Sequence, residues 1–167
     1  MSRAFVKDAD ENADGKLPDI PLSEHPNYVT PHGLELLRAR LRDVESRREA
    51  LAGAEETLGH QAELAALDRD LRWLKARVSS AIEIDLAQQP RDRIAFGAEV
   101  VTDSDEGEMR YRIVGEDEAD AEHHLVSYVS PLARALIGAR VGEEVLWHRP
   151  AGDLRLEVMS FDYGDDT

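Results

Sequence analysis

The sequence predicts an α+β protein, an N-terminal antiparallel coiled-coil helical hairpin followed by an antiparallel sheet carrying one short helix. Three observations predict it. Apolar residues step by three and four in two successive segments, Gln88-Gln89-Pro90-Arg91 breaks that pattern, and the chain beyond it turns to short alternating runs.

Residues 1–28 come before any such stepping. They combine Asp8, Asp10, Glu11 and Asp14 with Gly15, Pro18, Pro21 and Pro26 and few apolar side chains. A composition of this kind cannot offset the entropy of ordering, so a flexible acidic arm is expected. Arg3, Phe5, Val6 and Lys7 give its start a small basic and apolar character.

Thr30-Pro31 reads as a helix N-cap followed by proline at the first helical position, where a missing N–H costs nothing. Leu34, Leu37, Leu41, Val44 and Leu51 then form one apolar stripe, and Arg48 is the single polar residue in that seam. A second stripe follows in Leu64, Leu67, Leu71, Leu74, Val78 and Ala81. The segment from Gly53 to Gly59 separates them, so residues 29–86 read as a hairpin with its tip near Ala54 to Thr57. Arms of ~20–25 residues would project ~30–38 Å.

Residues 87–93 form a linker and 94–163 a second module, with 164–167 as a tail. Within the module, Ile94 to Thr102, Met109 to Val114, Leu125 to Val129, Glu143 to Arg149 and Leu154 to Phe161 alternate as strands. Asp105-Glu106-Gly107 makes a turn between the first pair. Ser130 to Ala139 is a short helix, with Ser130 as N-cap and Pro131 in its first turn.

Charge narrows the function. The 167 residues carry a formal net charge of −15, and 33% of them are charged against 5% aromatic. Nucleic-acid phosphates demand clustered Lys and Arg, so direct sequence-specific nucleic-acid binding is not expected. A basic protein surface suits such a chain better. The absence of cysteine removes disulfides, thiol nucleophiles and Cys-type zinc sites, and it fits a reducing cytoplasm. No apolar run is long enough for a membrane span.

No catalytic triad, phosphate loop or His-Glu-x-x-His helix is present, so an enzyme active site is not expected. Glu56, His60 and Glu63 have the spacing of a shared helical face that can hold a cation, although Gly59 interrupts that helix. His123-His124 beside Asp120 offers a weaker metal candidate, because adjacent strand side chains diverge. Glu55 and Glu56 are carboxylates at a projecting tip and can offer oxygen ligands to Mg²⁺ in a partner's site. Glu116, Asp117, Glu118 and Asp120 make an acidic loop near the Ser130-Pro131 helix start, suited to basic residues of a partner. A prolyl-isomerase pocket is hard to assemble from Tyr111, Tyr128, Trp147, Phe161 and Tyr163, which are scattered over the strands.

The chain resembles the Gre family of bacterial transcription elongation factors over roughly residues 28–161. The carriers are Tyr28-Val29-Thr30-Pro31-His32-Gly33-Leu34, Phe96-Gly97-Ala98, the stretch from Arg112 to Asp120, and Ser130-Pro131-Leu132-Ala133-Arg134-Ala135-Leu136-Ile137-Gly138. Val141-Gly142 and Pro150-Ala151-Gly152 follow in the family's order.

That resemblance implies an FK506-binding-protein-like second domain that docks on bacterial RNA polymerase at the rim of its secondary channel, with the hairpin entering the channel. It implies no intrinsic cofactor. Any RNA cleavage belongs to the polymerase and its own active-site Mg²⁺. Gly115, Glu116, Asp117, Glu118, Ser130, Pro131 and Arg134 are the implied docking residues, and the protein is expected to act as a monomer.

The tip departs from the family. Cleavage-stimulating members carry a Gly-Asp-x-Ser-Glu-Asn segment that this sequence lacks, and ungapped alignment from Leu71-Arg72-Trp73-Leu74 puts Ala50 and Gly53 at the acid positions. Alignment from both ends shortens each arm by about one heptad, or ~10 Å of reach. Shorter arms and the segment Leu146-Trp147-His148-Arg149-Pro150 also resemble the regulator of nucleoside diphosphate kinase family, whose members bind the channel without stimulating cleavage.

Overall fold

A computed structural model describes residues 15–164, so the expectations for residues 1–14 and 165–167 lie outside the described residues. Contacts divide the described chain into two compact units. One holds residues 15–22 and 39–76, the other 23–38 and 77–164.

The helical pattern has the expected form. Helix α1 spans Pro31–Ala52, after a two-residue strand β1 at Tyr28–Val29, and helix α2 spans His60–Ser80. At 1.5 Å per residue they are ~31–33 Å long. Thr30 caps α1: its hydroxyl oxygen accepts the Gly33 N–H at 2.9 Å, and Pro31 takes the first helical position. In the first unit, Val44, Leu71 and Leu74 are buried, with Leu41, Leu51, Leu64 and Leu67 half-buried beside them. Arg48, the polar residue in that seam, meets Asp68 of α2 at 2.9 Å, and Arg40 lies over the Trp73 ring at 5.7 Å. These pairings order the helices antiparallel.

In the second unit, β1 pairs in parallel with β2 (Ile82–Glu83), Tyr28 opposite Ile82 and Val29 opposite Glu83. The start of α1 and the end of α2 are thereby laced together. Such a two-residue pairing across 54 positions has no periodic signature for a sequence to reveal.

The module's strands are β3 (Glu99–Asp103), β4 (Met109–Val114), β5 (Leu125–Ser127), β6 (Glu144–Trp147) and β7 (Leu154–Asp162), in the order β5-β4-β3-β7-β6. Helix α3, Pro131–Leu136, is capped as expected, with Ser130 Oγ accepting the Ala133 N–H at 3.2 Å. The core gathers Ile94, Val100, Ile113, Leu136, Leu156, Val158 and Tyr163, all at most 1% exposed.

Several expectations need correction. The sheet is mixed rather than antiparallel, because β5 runs parallel to β4. The intervening chain makes a 3₁₀ turn at Ala121–His123 and an Asp120–Leu125 bridge, reversing direction before β5 begins. Residues 94–98 are not strand. Ile94 instead exchanges backbone hydrogen bonds with Gly138 and Ala139, and Gly97 takes a positive φ of 87°. Helix α3 ends at Leu136 rather than Ala139, since Gly138 adopts φ 89° two residues on. The turn at Ser104–Gly107 closes through paired backbone bonds of 2.9 and 3.2 Å, as the sequence suggests. Among the described residues no helix is long and apolar enough to cross a membrane.

Candidate docking surface

The loop leaving β4 begins at Gly115, the one residue type that fits there. A Cβ at that position would lie 2.4 Å from the Tyr28 carbonyl oxygen, a backbone atom that cannot step aside. The glycine brings the acidic run against β1 and the roots of both helices.

Each following carboxylate has an internal partner. Glu116 accepts a hydrogen bond from the Ser23 hydroxyl at 3.0 Å. Its Oε2 is buried without a hydrogen bond among the described residues and lies 3.9 Å from Arg77 Nη2. Asp117 Oδ2 accepts from Arg77 Nε at 2.6 Å. Glu118 accepts from the Thr30 hydroxyl, the same group that caps α1.

Arg77, in the last turn of α2, is only 3% exposed. Its Nη2 donates to Asn27 Oδ1 at 2.7 Å, and Asn27 Nδ2 donates to the Arg77 carbonyl at 2.8 Å. A guanidinium buried this deeply is tolerable only because carboxylate and amide oxygens surround it. Sequence reasoning missed Arg77 and Asn27. A basic residue near a helix C-terminus is ordinary, and nothing local announces its burial.

Ser130, Pro131 and Arg134 belong to the same unit, at the start of α3, and the Tyr128 hydroxyl feels the charges of both Glu116 and Arg134. Pro131 and Arg134 are exposed, while Ser130 is committed to its cap. Ser130 and Pro131 line an open, mainly apolar cavity of about 500 Å³ together with Tyr111, Leu125, Val126 and Trp147. Asp120 stands at its edge, and the His123 side chain at 2.7 Å holds its carboxyl below the ordinary value. Of the scattered aromatics, Tyr111 and Trp147 meet here at 6.3 Å. Tyr128 instead joins Tyr28 and Phe96, and Phe161 packs on Tyr163. The Tyr128 hydroxyl, its pKa raised by burial, donates to the Pro26 carbonyl at 2.5 Å.

At the hairpin tip, Glu55 and Glu56 are both exposed, and Glu56 accepts from Gln61 Nε2 at 2.9 Å. Glu56, His60 and Glu63 are not assembled as a cation site. Gly59, with φ 87°, ends the turn before α2 starts at His60, so Glu56 never enters the helix. Nor do His123 and His124 form one, since His124 turns into the left-handed region at φ 56°. Among the described residues no group of three His, Asp or Glu side chains is placed to hold a metal ion.

An antiparallel helix pair together with a small α+β module whose acidic loop bonds to Ser23, Thr30 and Arg77 defines the fold class. Comparison with known proteins gives the family. Residues 89–163 match the family described as Transcription elongation factor, GreA/GreB, C-term. The transcription elongation factor GreB of Xanthomonas axonopodis pv. citri is 37% identical over 159 residues, covering 86% of this chain and 95% of that protein. GreA of Francisella philomiragia is 36% identical over 152 residues, covering 81% of this chain and 95% of the other. Solved structures include GreA factor homolog 1 (Gfh1) of Thermus thermophilus, with a TM-score of 0.39 at 19% identity over 82% of this chain and 99% of that one. The chain belongs to the GreA/GreB transcription elongation factor family.

Proposed function

We propose that this protein binds bacterial RNA polymerase and regulates elongation, pausing or backtracking through the secondary channel, without chemistry of its own. The observation that carries the reading is the 159-residue similarity to a GreB factor, which takes in hairpin and sheet module together. In this reading Pro131 and Arg134, exposed at the start of α3, face the polymerase beside the apolar cavity. Gly115, Glu116, Asp117, Glu118 and Ser130 shape that face. A protein with this partner works in the cytoplasm, as a monomer.

The tip carboxylates bear on the finer question of RNA cleavage. Glu56 accepts a hydrogen bond from Gln61 and Glu55 lies in the exposed segment before Gly59, which supports reading the tip as lacking a preset pair of Mg²⁺ ligands. Misplacing a catalytic ligand by ~1 Å can cost ~10²-fold in rate. We therefore favour a channel-occupying regulator over a cleavage cofactor. The second reading, in which Glu55 or Glu56 completes the polymerase's Mg²⁺ site, rests on their exposure.

Titrating labelled protein onto stalled elongation complexes tests the binding. Saturable binding supports it, weakened by Arg134→Glu while the folded state is unchanged. Absence of binding overturns it.

A further inference from the structure

One face of α2 borders a groove that none of the docking candidates lines. Gln61, Ala65, Asp68 and Arg72 follow one another along that face at helical spacing. Arg48 of α1 and Lys16 of the N-terminal segment join them around an open cavity of about 280 Å³. Three cations from three separate segments therefore share one space.

Much of their donor capacity is uncommitted. Arg48 Nε donates to Asp68 Oδ1 at 2.9 Å, while its two Nη groups make no hydrogen bond among the described residues. Arg72 donates from Nε to Asp19 Oδ1 at 2.5 Å and from Nη2 to the Leu17 carbonyl at 2.9 Å, which leaves Nη1. The Lys16 ammonium makes no hydrogen bond among the described residues.

Guanidinium forks and an ammonium gathered around one space are the donors that hold phosphate oxygens. Asp68 is the single carboxylate in the lining, and Arg48 already pairs with it. The chain's net charge of −15 repels anions from a distance. Exposed charges more than ~8 Å apart are largely screened at physiological salt, so the local surplus of cations decides. Pockets for drug-sized ligands measure ~300–1,000 Å³, so this smaller one suits a phosphoryl group rather than a whole cofactor.

We propose that this groove is a binding site for a phosphate-type oxyanion, held by Lys16, Arg48 and Arg72, and that the bound anion ties the N-terminal segment to both helices. The site stands whether or not the hairpin enters RNA polymerase. Inorganic phosphate and the phosphoryl groups of a nucleotide share the chemistry it recognises.

The test is an NMR titration of the nitrogen-15-labelled full-length protein with inorganic phosphate, pyrophosphate and ATP in turn, without Mg²⁺ and with ionic strength held constant by chloride. Saturable shifts are expected at Lys16, Gln61 and Ala65 and at the Nε–H groups of Arg48 and Arg72. Lys16→Ala should weaken binding about fivefold, the loss of one exposed ion pair, and Lys16→Arg should restore it. Lys16 is exposed, so both variants should keep the fold. Arg48→Gln should weaken binding as well.

Phosphate binding as tightly as ATP marks the free ion as the ligand. Tighter binding of ATP, with added shifts beside the same residues, marks a nucleotide, and either result supports the site. Shifts that rise without saturating, that spread equally over Arg91, Arg93 and Arg140, or that ignore Lys16→Ala overturn it.

Discussion

Arg77 Nε stands 2.6 Å from Asp117 Oδ2, joining the last turn of α2 to the loop that follows β4, with the guanidinium only 3% exposed. This pairing ties the loop predicted to dock to the roots of the helices, which β1 and β2 also lace together. Removing one partner strands a buried charge, and breaking such pairs costs about 3–5 kcal/mol. Asp117→Ala should therefore lower stability by about 3 kcal/mol, read as a shift in urea midpoint at unchanged slope.

Gly115→Ala should be costly for a steric reason, because the new Cβ would lie 2.4 Å from the Tyr28 carbonyl oxygen. Forcing an extra methyl into packed backbone costs about 1–3 kcal/mol. Gly53→Ala is the control, with its Cβ meeting nothing nearer than 3.7 Å, and should change stability by less than about 0.5 kcal/mol. Equal effects in thermal or urea unfolding would contradict the close approach.

Stability should fall on acidification. Burial pushes the Glu99 carboxyl up, but hydrogen bonds and charge from Arg110 and Arg112 outweigh it and hold the group below its ordinary value of 4.5. Glu106 is likewise held down by Arg149. A carboxylate depressed in the folded state stabilises above its unfolded pKa, and that stability is lost as pH falls through the folded one. Urea midpoints measured from about pH 6 down to about pH 3 should decline below the ordinary carboxylate range. Glu99→Gln should flatten that decline.

Local signals were legible and long-range ones were not. Thr30-Pro31 and Ser130-Pro131 announced their helices because a cap is written in adjacent residues, and Arg48 stood out because it broke a regular stripe. The parallel placement of β5 and the pairing of Tyr28 with Ile82 depend on where distant segments meet, which alternation does not encode. The site divides in the same way. Glu116, Asp117 and Glu118 were visible as an acidic run, yet their partners Ser23, Arg77 and Thr30 lie 93, 40 and 88 residues away.

The α3 cap gives a separable test. Ser130→Ala removes the acceptor for the Ala133 N–H and should cost about 1 kcal/mol. Arg134 is exposed, so Arg134→Glu should leave stability within about 0.5 kcal/mol while weakening polymerase binding. Loss of stability with Arg134→Glu would show that its side chain serves the fold instead.

The most direct measurement adds the purified protein to stalled, backtracked complexes of its own RNA polymerase with Mg²⁺, following complex formation and release of short 3′ RNA fragments together. A bound complex with no rise in fragment release is the predicted result. Fragment release abolished by Glu55→Ala and Glu56→Ala would contradict the regulator reading and make the tip a metal-completing element, and failure to form any complex would contradict polymerase binding itself.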